Sequence, residues 1–159
     1  ARGIRAATAK RGPIVILKLF HQFLGIIYNR RCGYDLAKCL IGQAHNRVVG
    51  FSVITGDDNP VHLDEDYASK SLFGAKIAHG MLTASFFSAI FGNEYPGPGC
   101  LYLSQNIKFL KPVFVGSQVT AVVSVKDVNV EKGVVTFLTE SFIGDNKVVT
   151  GEAIILIPR

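Results

Sequence analysis

The chain has 159 residues, 48% apolar and 18% charged, a balance that excludes a disordered segment and suits one well-cored domain. Its formal net charge of +5 is uneven: residues 1–34 hold seven Lys/Arg and no acid, and the rest holds ten bases against twelve acids. The body is mildly acidic and carries no cluster of positive charge, so neither part reads as a nucleic-acid surface.

In chain order, residues 1–34 read as a basic N-terminal extension or targeting segment, and residues 35–159 as the folded domain. The leader is Arg-rich, acid-free and apolar in its middle, which fits a mitochondrial transit segment in part. An extension that docks on a partner is the alternative. A membrane span is not expected: the apolar stretch from Ile14 to Tyr28 is interrupted by Lys18, His21 and Gln22, and is shorter than the ~20 residues a span needs. Cys32, Cys39 and Cys100 form no C-x-x-C pair and are odd in number, which points to a reducing compartment and ordinary thiols.

A first strand is expected within Gly33–Leu40. Gln43–Ile54 then reads as a helix, with Val48, Val49, Phe51 and Ile54 at helical spacing. Thr55-Gly56 ends it and leads into TGDDNPVHLDEDYASKSLFGAKIAHGMLTASFFSAI, the stretch that carries the chemistry. Asp57 and His62 bring together a carboxylate and an imidazole, types that ordinarily titrate near about 3.9 and 6.5 and can together accept and donate a proton near neutrality. Pro60 fixes one backbone angle and biases Asn59 toward an extended conformation, which makes the connector stiff. The plain alternative for Asp57 and Asp58 is turn chemistry, and for His62 a structural histidine. Asp64 reads as the N-cap of a short helix, Glu65–Ser71. The acids Asp64, Glu65 and Asp66 read as a solvated helix start, so no metal is expected.

Gly80–Phe91 carries no charge and is apolar on nearly every face, so it reads as a core helix too short to span a membrane. The N–H groups of its first turn are free donors at the positive end of a dipole and can hold a developing oxyanion. Gly80, without a Cβ, lets a ligand approach the backbone. Ser85 and Ser88 lie on one face of the helix. Gly92–Gly99 is a loop, and Gly97-Pro98-Gly99 lacks the strand-to-helix context of a nucleotide site. Period-two patterns then mark four strands: Cys100–Phe109, Gln118–Val128, Gly133–Ile143 and Lys147–Ile157. Their short connections predict an antiparallel meander.

GDDNPVHLD followed by IAHGML resembles the hydratase motif of the MaoC-like, (R)-specific enoyl-thioester hydratases, and the similarity continues through PGPGCLYLSQNIKFLKPVFVGSQVTAVVSV to VVTGEAIILIP. It covers roughly Gly42 to the C-terminus and is strongest to short single-domain members, including the mitochondrial 3-hydroxyacyl-thioester dehydratases. The resemblance implies an α+β hot-dog fold, an antiparallel sheet wrapped around the central helix. It implies reversible hydration of trans-2-enoyl thioesters to (R)-3-hydroxyacyl thioesters, with Asp57 and His62 catalytic and the Gly80 N–H on the thioester oxygen. It also gives Asn59, His79 and Ser88 supporting places around the site, Ser88 with a back-bonded helix serine as its alternative. No cofactor is implied beyond the coenzyme A or acyl-carrier-protein arm of the substrate, and a homodimer is.

Two other readings stay open at this stage. A hot-dog thioesterase usually carries its catalytic acid on the central helix, and this helix has no Asp or Glu. A non-catalytic subunit recruited into a larger mitochondrial assembly would account for the basic leader and the poor match before Gly42.

Overall fold

A computed structural model describes residues 37–42 and 45–157, and the expected extension over residues 1–34 lies outside them. The described elements are β1 (Ala37–Gly42), α1 (His45–Thr55), α2 (Pro60–Leu63), α3 (Glu65–Lys70), α4 (Gly80–Asn93), β2 (Leu101–Phe109), β3 (Gln118–Asn129), β4 (Val134–Ile143) and β5 (Asn146–Leu156). The architecture is α+β, one five-stranded antiparallel sheet with one long helix packed against it.

Sheet order is β1-β3-β4-β5-β2. β3, β4 and β5 form the expected meander, but β2 does not. It pairs with β5 at the far edge, with Ile107 opposite Gly151, and β1 takes the place beside β3. Gly151 allows that pairing, because a Cβ there would stand 2.0 Å from the Asn106 carbonyl oxygen. The connection from β2 to β3 is therefore a crossover rather than a hairpin. It runs over the start of α4, where Ala78 N–H donates to Val113 O (2.7 Å) and Val115 N–H to Lys76 O (3.1 Å).

The core follows from the sequence pattern. Phe86, Phe87, Ile90 and Phe91 of α4 meet Val119, Ala121 and Val123 of β3, Val135 and Phe137 of β4, and Ala153 and Ile155 of β5, all fully or nearly fully buried. Burying one such aliphatic or aromatic side chain contributes about 1.5–3 kcal/mol. α4 is not buried all round as its composition suggested. Met81, Ser85, Ser88 and Ala89 form an exposed stripe, because a single sheet covers only one side of it.

α1 also departs from the expected pattern. Its buried residues are Val48 and Ser52, while Ile54 is 85% exposed. The inward position one turn after Val48 is a serine, whose hydroxyl has a structural task described below. No described helix is long and apolar enough to cross a membrane.

Candidate active site

Asp57 lies on the loop between α1 and α2, and its backbone is anchored from two directions. Its carbonyl oxygen accepts a hydrogen bond from Ser52 Oγ–H (2.7 Å) and another from His79 Nε2–H (3.0 Å). Its N–H donates to Thr55 Oγ1 (3.3 Å), and its own Oδ1 accepts from Asn59 N–H (3.4 Å), a local Asx turn. The backbone is thus held while the carboxylate stays half exposed.

His62 follows on α2, a single helical turn that the sequence reading had as a stiff connector. Asn59, at φ −51° and ψ 122°, is extended as Pro60 requires, and its Oδ1 caps the turn through Val61 N–H (3.3 Å). The His62 ring is buried, and its Nδ1 lies 2.8 Å from the Ile77 carbonyl oxygen. A carbonyl only accepts, so Nδ1 carries the hydrogen and neutral His62 keeps a lone pair on Nε2. Fixing the tautomer through the other ring nitrogen is how a histidine is prepared to take a proton at one defined atom.

His79 is 2% exposed and precedes α4 as its N-cap, with no side-chain cap bond. Its ring stacks on His62, with centroids 3.8 Å apart and planes tilted by 35°, and packs against Phe51 at 5.0 Å. Because Nε2 donates to the Asp57 carbonyl, Nδ1 is the bare nitrogen, and it has no hydrogen-bond partner among the described residues. The next residue, Gly80, opens the helix. Its missing Cβ makes room for a side chain of this chain: a Cβ would stand 2.9, 3.0 and 3.1 Å from Cε1, Cζ and Cδ1 of Phe109.

These residues line one cavity of about 470 Å³, walled by Phe73, Ile77, Met81, Val113 and Val149, with Phe109 to Pro112 of the crossover along it. Asp57, His62, His79 and Gly80 are brought together there. Asn59 stands behind them as the cap of α2, and Ser88 is exposed and does not line the cavity. Ser52, Phe109 and the crossover were not singled out from sequence. The Ser52 signal was its place four residues after Val48 on the inward face of α1.

One donor atom from each of Asp57, His62 and His79 lies within 4.8 Å of the others, close enough to raise the question of a metal. The donor set fits poorly. The His79 nitrogen 4.0 Å from Asp57 Oδ2 is Nε2, the same atom that carries a hydrogen to the Asp57 carbonyl, and an N–H has no lone pair for an ion.

Comparison with known proteins bears on the family and the fold. The model of the MaoC like domain matches residues 36–143. The chain belongs to the MaoC-like family. An (R)-specific enoyl-CoA hydratase of Rhodospirillum rubrum is 44% identical over 108 residues, covering 68% of this chain and 75% of that one. A mitochondrial 3-hydroxyacyl-[acyl-carrier-protein] dehydratase of Arabidopsis thaliana is 31% identical over 116 residues, covering 70% and 69%. The solved (R)-hydratase of Aeromonas caviae superposes with a TM-score of 0.75 at 37% identity, covering 80% of this chain and 99% of that one. The MaoC-like resemblance, the hot-dog fold and the enzyme class, a lyase, all hold.

Proposed function

We propose that this MaoC-like chain interconverts trans-2-enoyl thioesters and (R)-3-hydroxyacyl thioesters, with Asp57 and His62 as the catalytic pair and the Gly80 N–H at the thioester oxygen. The observation that carries the reading is the bare His62 Nε2, set by the Nδ1–H to Ile77 bond, in the same cavity as the Asp57 carboxylate and the uncapped start of α4. A water held between the two groups loses a proton to one of them as its oxygen bonds to C3. The π pair of the C2=C3 double bond shifts toward C1 and the carbonyl π pair onto oxygen, where helix N–H groups stabilise the enolate, and Asp57 and His62 together return a proton to C2. Water is added in full and the pair ends with the protons it began with, so no electron carrier enters the balance.

The apolar wall takes the acyl chain, while the coenzyme A or acyl-carrier-protein arm stays outside. His79 and Asn59 act as positioning residues for Asp57 and α2. Two wider parts of the proposal have their own support. A homodimer is favoured by β2, an edge strand with Leu101, Tyr102 and Leu103 all exposed, an edge that a second copy would cover. A mitochondrial location is favoured by the acid-free basic leader and by relatives whose names carry that location.

The test is hydration of crotonyl-CoA, followed by loss of enoyl-thioester absorbance, with wild type beside His62→Ala and the product configuration determined. Activity in wild type alone, with an R product, supports the reading. Inactivity of the wild type on short, long and carrier-bound enoyl thioesters would overturn it.

A further inference from the structure

We propose that Phe109 determines which acyl groups the site accepts: its ring, seated in the notch left by Gly80, walls the cavity beside the thioester carbonyl and turns away chains branched at C2. This rests on the hydratase reading given above.

Gly80 is the point where the helix backbone meets the cavity, and the ring lies directly on it. Three of its carbons are 2.9–3.1 Å from where a Cβ would stand, tighter than a side chain there would tolerate. The glycine lets the ring sit against the helix backbone, and any side chain there would push the ring aside. If the thioester oxygen sits at hydrogen-bonding distance from the Gly80 N–H, C1 lies one bond beyond that oxygen and C2 two bonds. A group packed on Gly80 then borders C1 and C2, rather than the distal acyl chain, which runs along Phe73, Ile77, Val113 and Val149.

Phe109 ends β2 at the edge of the sheet and is 50% exposed, outside the buried core. Its place over Gly80 is set from the sheet side. The adjoining Leu110 N–H donates to Val148 O (2.8 Å), which ties the end of β2 to β5. A ring held by its backbone and packed on a glycine is a wall whose removal opens space without emptying the core.

The experiment compares kcat/KM for hydration of crotonyl-CoA and of its 2-methyl analogue, tiglyl-CoA, by the full chain as wild type, Phe109→Ala and Phe109→Leu. The intrinsic reactivity difference between the two substrates is the same for every variant and cancels when their ratios are compared. Excluding one methyl group is commonly worth about 10–200-fold. The preference for crotonyl-CoA should therefore fall at least ~10-fold in Phe109→Ala and by less in Phe109→Leu, with the gain showing in KM for tiglyl-CoA. Equal losses on both substrates, leaving the ratio unchanged, would overturn the proposal and leave the hydratase reading standing. A wild type inactive on crotonyl-CoA would overturn both. Phe109→Leu supplies the comparison if the alanine variant does not fold.

Discussion

The connector from Thr55 to Asp64 and the start of α4 face the same cavity, but their side chains are held by different means. The backbone of the connector is shaped by bonds between near neighbours, Asp57 to Asn59, Asn59 to Val61 and Asp64 to Tyr67, and the His62 ring alone of its side chains reaches a distant carbonyl, that of Ile77. At the start of α4 the contacts come from far along the chain, with Phe109 on Gly80, the Asp57 carbonyl on His79, and Val113 against Ala78. Local turn chemistry sets the shape of one half of the site. Tertiary contacts set the other half and bring the two together.

The largest effects should come from removing the reacting groups of the connector. His62→Ala and Asp57→Asn should each lower crotonyl-CoA hydration by about 10²–10⁴-fold. The Asp57→Asn protein should unfold at nearly the wild-type temperature, because an amide oxygen can still accept from Asn59 N–H. Near-normal turnover in that variant would remove Asp57 from the pair.

On the other side of the comparison, Gly80→Val should cost about 100-fold or more in kcat, since its side chain displaces the Phe109 ring and crowds the helix donors. A fully active valine variant would remove the oxyanion assignment.

His79 joins the two halves, so its substitution separates positioning from chemistry. His79→Ala loses the donor to the Asp57 carbonyl, which Ser52 Oγ–H still satisfies, so the part-buried bond itself should cost about 0.5–1.5 kcal/mol of stability. His79→Gln, which keeps an N–H donor, should recover part of both stability and kcat. If glutamine and alanine behave alike in kcat, the bond to Asp57 is not what His79 contributes.

Asn59→Ala tests the local half alone. Loss of one N-cap should cost about 1 kcal/mol, seen as a lower thermal midpoint, with a smaller effect on turnover than His79→Ala.

The smallest expected effect lies away from the site. Burial pushes the Tyr95 hydroxyl up to about 12, and that hydroxyl has no hydrogen-bond partner among the described residues. The fold holds the phenol proton more tightly than the unfolded chain does. Its contribution to stability is therefore complete below pH 10 and declines as pH rises from 10 toward about 12. Tyr95→Phe should flatten that decline in urea titrations, and an unaltered slope would mean that other groups dominate.

Much of this was legible in the sequence because it depends on near neighbours. The cap at Asp64, the apolar α4 and the four period-two strands all follow from spacing, and their bounds differ from expectation by only a residue or two; the cap at Asn59 and the turn it opens were not read from sequence. The family motif identified Asp57, His62 and Gly80 as residues to examine. What was missed depends on partners distant in sequence. Ser52 looked like an unremarkable helix position because the carbonyl it holds comes from the loop beyond. β2 was expected beside β3 because the connecting segment does not disclose that it crosses the start of α4.

Helix periodicity, strand alternation and capping act within a few residues, so the elements and the reactive side chains are readable locally. The pairing of β2 with β5 is set by the packed fold. That pairing sends the crossover past α4, sets Phe109 on Gly80 and Val113 on Ala78, and gives the cavity its second wall. The tertiary structure also chose the tautomers of the two stacked histidines, since the carbonyls of Ile77 and Asp57 that select them come from other segments of the chain. Sheet order and tautomer depend on partners too far apart along the chain for helix periodicity, strand alternation or capping to report.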